Sequence, residues 1–117
     1  MTELDPTEQV EKEIEISIEA ARGVVERRDR MDALIANPDF DYIFTDGYFQ
    51  KEPVRLVGLL ADPEWQTEEK QQELADELRA ISGLRQYIMG IKAMGRQMEN
   101  QIARSQSELD GLREEGE

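Results

Sequence analysis

Glu11, Glu15 and Glu19 recur at every fourth position, and on a helix that spacing stacks three carboxylates along one face. Carboxylates so placed can hold a divalent cation, or divide acid and base roles between them. Metal columns on helices normally recruit an imidazole as well, and this chain of 117 residues has no His and no Cys. That removes ordinary zinc sites, thiol nucleophiles, disulfides and the commonest general base together. The column therefore reads as a solvated helix face.

DFDYIFTDG (residues 39–47) invites comparison with a calcium loop, which needs acids at its first, third and fifth positions and Gly at its sixth. Asp39 and Asp41 satisfy the first two requirements. Ile43 occupies the third acidic position and Phe44 the place of the glycine, so the loop is rejected. SGLRQYIMGIKAMG (residues 82–95) is glycine-containing but lacks the Lys-Ser or Lys-Thr end of a phosphate loop. Met89, Met94 and Met98 in and beside it fall on or beside a helical apolar seam, so they do not make a cofactor box. Arg22, Arg27, Arg28 and Arg30 can grip phosphate, but Glu26 and Asp29 lie among them. The formal net charge is −13, which repels a phosphate backbone at long range. No catalytic, cofactor-binding or metal-ligating set emerges, and no small-molecule substrate, nucleic-acid ligand or cofactor is expected. The chain reads as a protein that is not an enzyme.

The elements around these residues are helical. Hydrophobic residues make up 38% of the chain, too few for a thick globular core but enough for a seam between long helices. No apolar run approaches 18 residues and the acidic start has no hydrophobic region, so neither a membrane span nor a signal peptide is expected, and the location is cytoplasmic. After a leader ending at Pro6, Thr7 can cap a first helix. Val10, Ile14, Ile18, Ala21 and Val25 keep helical spacing, and Asn37-Pro38 stops the run, giving a helix over 8–36. Pro38 and Pro53 each open a short apolar helix within an elbow, 38–62, with Asp46-Gly47 ending the first. Thr67 caps a long second helix, 67–113, followed by an acidic tail, 114–117. Beyond Leu74 and Leu78 its seam runs Ile81, Leu84, Ile88, Ile91, Gly95, Met98, Ile102, Ser105, Leu109 and Leu112, a coiled-coil register. Gly83, Gly90 and Gly95 each cost about 1 kcal/mol against Ala, which close helix approach or bending would explain.

Charge sets direction. Residues 1–19 carry seven acids and one base, and 62–77 carry the same. Residues 22–30 carry four Arg against two acids, and 79–104 carry five bases against one acid. An antiparallel hairpin with Ala36 near Glu68 lays Arg22–Arg30 along Glu73, Asp76 and Glu77, and the acidic start along Arg85, Lys92 and Arg96. The fold class is therefore all-α: one domain, a long antiparallel, coiled-coil-like helical hairpin with a knob of two short helices at the elbow.

The elbow also holds five of the six Phe and Tyr residues, in NPDFDYIFTDGYF (37–49). Aromatics bury large area per residue, so a few can hold such a knob together. Phe40, Ile43, Phe44, Tyr48, Phe49, Leu56, Val57, Leu59 and Leu60 are expected to pack against Leu34, Ile35, Trp65, Leu74 and Leu78. A different use of the same aromatics is an exposed docking patch: Phe40, Tyr42, Phe44, Tyr48 and Phe49 are candidates for a partner surface. Ile102, Leu109 and Leu112 join them, because the second long helix outruns the first in this register and leaves an apolar stripe for another copy of the chain.

NPDFDYIFTDGYF, RLVGLLADP (55–63) and YIMGIKAMGRQME (87–99) together resemble a pattern in small acidic helical proteins encoded by tailed bacteriophages. The resemblance spans residues 10–113 and carries no catalytic motif. Pro53 departs from it, since an ordinary helix former is expected there. It implies a phage origin and no particular activity. The expected role is a structural or assembly protein working through protein contacts, in the host cytoplasm or with the virion. The alternative is an acidic mimic of DNA that inhibits a host nucleic-acid-binding protein.

Overall fold

The computed structural model describes residues 4–115, and every regular element among them is helical. α1 spans Pro6–Ile35. Its cap is Asp5, not Thr7: the Glu8 N–H donates to Asp5 Oδ1 at 2.8 Å, which makes Pro6 the first helical residue, where its missing N–H costs nothing. The remainder of the expected leader, residues 1–3, and the end of the expected tail, residues 116–117, lie outside the described residues. At the other end Asn37 is extended, as a residue before proline prefers to be. Its Oδ1 accepts from the Asp39 N–H at 2.8 Å and so caps the next helix.

The elbow departs from expectation. Two short helices separated at Asp46-Gly47 were predicted; the chain instead forms an unbroken helical run from Pro38 to Leu60. It begins as α2 (Pro38–Phe40), continues as a π-helix over Asp41–Lys51 and ends as α3 (Glu52–Leu60). Gly47 does not stop the helix, because no glycine in the described residues takes the left-handed conformation that a glycine stop requires. The π geometry shows at its end, where the Glu52 N–H donates to Gly47 O, five residues back. Pro53 supplies a reason for it. In an α-helix its ring would press on the carbonyl of Phe49; a wider turn before Pro53 relieves that contact.

A single 3₁₀ turn, Pro63–Trp65, leads into α4, Glu68–Glu115. Side chains bond carbonyls in and beside the turn: Gln66 Nε2 donates to Asp62 O at 2.7 Å, Lys70 Nζ to Glu64 O at 2.8 Å and Gln71 Nε2 to Trp65 O at 2.6 Å. Thr67 caps α4 as expected, its Oγ1 accepting from the Lys70 N–H at 3.2 Å.

The chain divides into two compact units, with α4 giving its first half to one and its second half to the other. Residues 31–90 form the first. Its core is Leu56 from α3 with Leu74 and Ile81 from α4, and Tyr48, Phe49, Leu59, Trp65 and Leu78 pack around them. Leu56 and Leu74 are fully buried, and each such side chain contributes about 1.5–3 kcal/mol. The aromatics form a ladder: Phe40 stacks on Phe44 at 4.9 Å, Phe44 meets Tyr48 edge-on at 6.3 Å, and Tyr48 lies 5.6 Å from Phe49. The last two rungs reach the Leu56 cluster, which explains why the aromatics are gathered there. Leu34, Ile43, Val57 and Leu60, expected in this core, are exposed.

The second unit comprises residues up to Arg30 and those from Ile91 onward. Here α1 and α4 run antiparallel, as an all-α hairpin requires. Arg28 Nη1 donates to Glu99 Oε2 at 2.9 Å, Gln101 Nε2 to Ser17 Oγ at 3.4 Å and Arg113 Nη2 to Glu15 Oε1 at 2.8 Å. Ile18, Ala21, Ile91 and Leu109 are buried between them. The expected direction holds but the register does not. The partner of Arg28 is Glu99, well beyond Glu73–Glu77 in the chain, while Arg22 and Arg30 pair within α1 with Glu19 and Glu26. The elbow causes the shift: a helical run that continues to Leu60 packs on the first half of α4 in its own unit, so α1 pairs with the second half.

Gly95 sets how closely these helices approach. A Cβ built there would overlap the Cβ and Cγ of Arg28, atoms at the root of a side chain that cannot swing aside. Gly83 and Gly90 face open space and have no such role.

Candidate interaction surface

The side chains that suggested chemistry are not assembled into a site. Among the described residues no three carboxylates come together in a way that could hold a metal ion, and this includes the Glu11, Glu15 and Glu19 column. Three of the arginines of α1, Arg22, Arg28 and Arg30, sit in ion pairs. Arg28 is held at 2.9 Å from both Glu99 and Asp29, and these bonds, Glu99 first, raise its guanidinium pKa above the usual value.

The predicted partner surface separates into two groups. Leu109 is buried and Ile102 and Leu112 are half-buried, within the unit that α1 completes. The shift in register brings the stripe that was expected to overhang into the unit that α1 completes. In the elbow, Phe40, Phe44, Tyr48 and Phe49 are half-buried and engaged in the aromatic ladder. Tyr42 alone of the five elbow aromatics stands out, 75% exposed.

Further apolar side chains of the same helical run are exposed. Ile43 beside Tyr42 is exposed, and α3 adds Val54, 73% exposed, and Val57. Sequence reasoning missed these three as surface residues and placed Ile43 and Val57 inside. The signal was available: PVRLVGLLA is apolar on opposite sides, with Arg55 its one charge, and a short helix can turn only one face to its neighbour. Leu56 took that face, at 1% exposure, and the opposite face was left to solvent.

Two ion pairs border this surface. Lys51 Nζ lies 2.8 Å from Asp46 Oδ2, and that hydrogen bond raises the ammonium pKa. Arg55 forks onto Glu52, with its Nε 3.1 Å from Oε1, and lowers the pKa of the Glu52 carboxyl. Glu52 also lines a small cavity of about 260 Å³ with Tyr48, Leu56, Glu77, Ala80 and Ile81. Further along the same unit, Glu68, Glu69, Glu73, Asp76 and Glu77 line an open groove on the first turns of α4.

Comparison with known protein families, curated proteins and solved structures returned no match. Among the described residues no helix is long and apolar enough to cross a membrane.

Proposed function

We propose that this chain is a non-enzymatic structural or assembly protein of a bacteriophage, acting through contact between its elbow and another protein. One observation carries the reading. Tyr42, Ile43, Val54 and Val57 present apolar area to solvent from a helical run whose other side fills the Leu56, Leu74 and Ile81 core. Grouped exposed apolar side chains of this kind mark contact sites more often than single ones do. The phage origin rests on the sequence resemblance.

The test is an affinity capture of the tagged protein from phage-infected host lysate, at low and high salt, with mass spectrometry of the eluate. The variant Tyr42→Ser/Val54→Ser/Val57→Ser is run in parallel, since these side chains leave the core intact. Capsid, portal or tail proteins retained at high salt by the wild type and lost by the variant are expected. Equal capture by both would remove the elbow from the proposal.

A second reading has its own observation. Glu68, Glu69, Glu73, Asp76 and Glu77 line an open acidic groove, while Arg22, Arg28 and Arg30 pair with Glu19, Glu99 and Glu26. An acidic helix face of that kind suits a mimic of DNA that blocks a host nucleic-acid-binding protein. A captured protein released by salt and displaced by duplex DNA would favour it.

A further inference from the structure

The elbow contains two features that the proposed contact does not account for. One is the π-helix over eleven residues, Asp41–Lys51, a geometry that proteins mostly confine to single turns and often place at functional sites. The other is α3, which is apolar on both sides. Its inward side is Pro53, Leu56 and Leu59; its outward side is Val54 and Gly58, flanked by Val57 and continued by Ala61 just past its end.

These two features are linked by helical arithmetic. Eleven residues make about three turns of α-helix at 3.6 residues each. They make only about two and a half turns when each turn closes through a bond to the fifth residue back. If Asp41–Lys51 tightened from π to α, α3 would rotate on its axis by about half a turn relative to Pro38–Phe40. Half a turn exchanges the two sides of α3. A helix with one polar side could not make that exchange without burying charge. On the outward side here only Arg55 is charged, and it lies at the margin.

We propose that the elbow is a two-position device: the π-to-α transition of Asp41–Lys51 turns α3 about its axis, placing Val54, Gly58 and Ala61 on α4 and presenting Leu56 and Leu59 to solvent. The inference goes beyond the contact reading and needs no partner. Pro53 biases the equilibrium toward the observed position, because its ring opposes the Phe49 carbonyl only in the α register. Side-chain size biases it the same way, since Leu56 and Leu59 bury more area than Val54, Gly58 and Ala61. The turned position is therefore the minor one, and it carries the larger exposed apolar surface.

The chain has no cysteine, which leaves a clean background for trapping. Val54→Cys/Ala80→Cys pairs a residue that now faces solvent with one that lines the cavity next to Leu56. Glu52→Cys/Ala80→Cys, whose two positions line that cavity together, reports the observed position. Both pairs are oxidised at low protein concentration, with and without Pro53→Ala, and intrachain bridges are counted by mass spectrometry of peptides. The expected result is a bridge in the control pair, a slower bridge from position 54, and an acceleration of the latter by at least several-fold with Pro53→Ala. A control that bridges while position 54 does not, in either background, would overturn the proposal. So would a position-54 bridge whose rate is indifferent to Pro53. Circular dichroism of each variant confirms that helix content is unchanged, so that a missing bridge is not a failure to fold.

Discussion

The two units use one long helix in different ways. In residues 31–90, α4 is covered by large side chains. Leu56, Leu74 and Ile81 form a core, aromatic rings enclose it, and the residues along the contact are held by area. In the unit built from the start of α1 and the end of α4, the buried set includes a residue as small as Ala21, and Gly95 receives the stem of Arg28. Polar bonds at Glu99, Gln101 and Arg113 hold register there. Bulk stabilises the first unit and close approach the second. A helix of this length can serve both because its apolar positions persist, while in its second half the small residues Gly95 and Ser105 stand among the isoleucines and leucines.

That difference predicts opposite sensitivities, and the largest effect belongs to the first unit. Leu74 has no exposed surface. Leu74→Ala should cost about 2–5 kcal/mol through lost burial and the cavity left behind. Trp65 is the chain's only tryptophan and packs on this cluster, so its fluorescence during denaturant unfolding reads the loss directly. An unchanged midpoint would mean that area does not hold this unit together.

In the second unit the damaging change is enlargement. Gly95→Val drives a side chain into the Cβ and Cγ of Arg28, and overpacking of this kind costs about 1–3 kcal/mol. Amide hydrogen exchange of α1 should rise, while the same measurement on Gly83→Ala and Gly90→Ala should show none of that loss. Those two sites open onto solvent, and replacing glycine in a helix interior gains up to about 1 kcal/mol. If all three glycines tolerated enlargement equally, close approach would lose its role.

How much of this the sequence disclosed follows from what each signal encodes. The seam of α4 was legible position by position, because periodicity depends only on the helix itself: Leu74, Ile81, Ile88, Ile91 and Leu109 are buried as the spacing required. What packs on each stretch of that seam was not legible. Charge pattern favoured Arg22–Arg30 against Glu73–Glu77, but exposed ion pairs are worth too little to outweigh the burial of Leu56. The elbow failed on one local judgement. Asp46-Gly47 reads as a helix stop, yet a glycine stops a helix only when it turns left-handed, and Gly47 stays within the run. Once the run continues to Leu60, it takes the first half of α4 and α1 is left with the second. The candidate surface moved for the same reason. Ile102, Leu109 and Leu112 acquired a partner, and Val54 and Val57 were left without one.

The smallest predicted effects concern the ion pairs bordering the elbow surface, and here the sign of the pH dependence is the test. Arg55 holds the Glu52 carboxyl below its ordinary value of 4.5. A carboxyl depressed on folding adds stability above its unfolded pKa and loses that contribution as pH falls through the lower folded value. Lys51 is the reverse case, because Asp46 raises its ammonium above the ordinary 10.5. Its contribution is complete below the unfolded value and is lost as pH rises through the folded one. Between these two windows neither pair makes the stability of residues 31–90 depend on pH. Glu52→Gln should therefore be less stable than wild type at neutral pH and match it in acid below the folded carboxyl pKa, as followed by Trp65 fluorescence. Lys51→Gln should show a gap that closes only in strong alkali. Lys51 is exposed and Glu52 partly so, and salt should shrink both gaps, whereas it should leave the effect of Leu74→Ala nearly untouched. A gap for Glu52→Gln that stayed constant from neutral pH into acid would place the cause in lost packing around Tyr48 and Ala80, and the border of the elbow would then be held by area, as its core is.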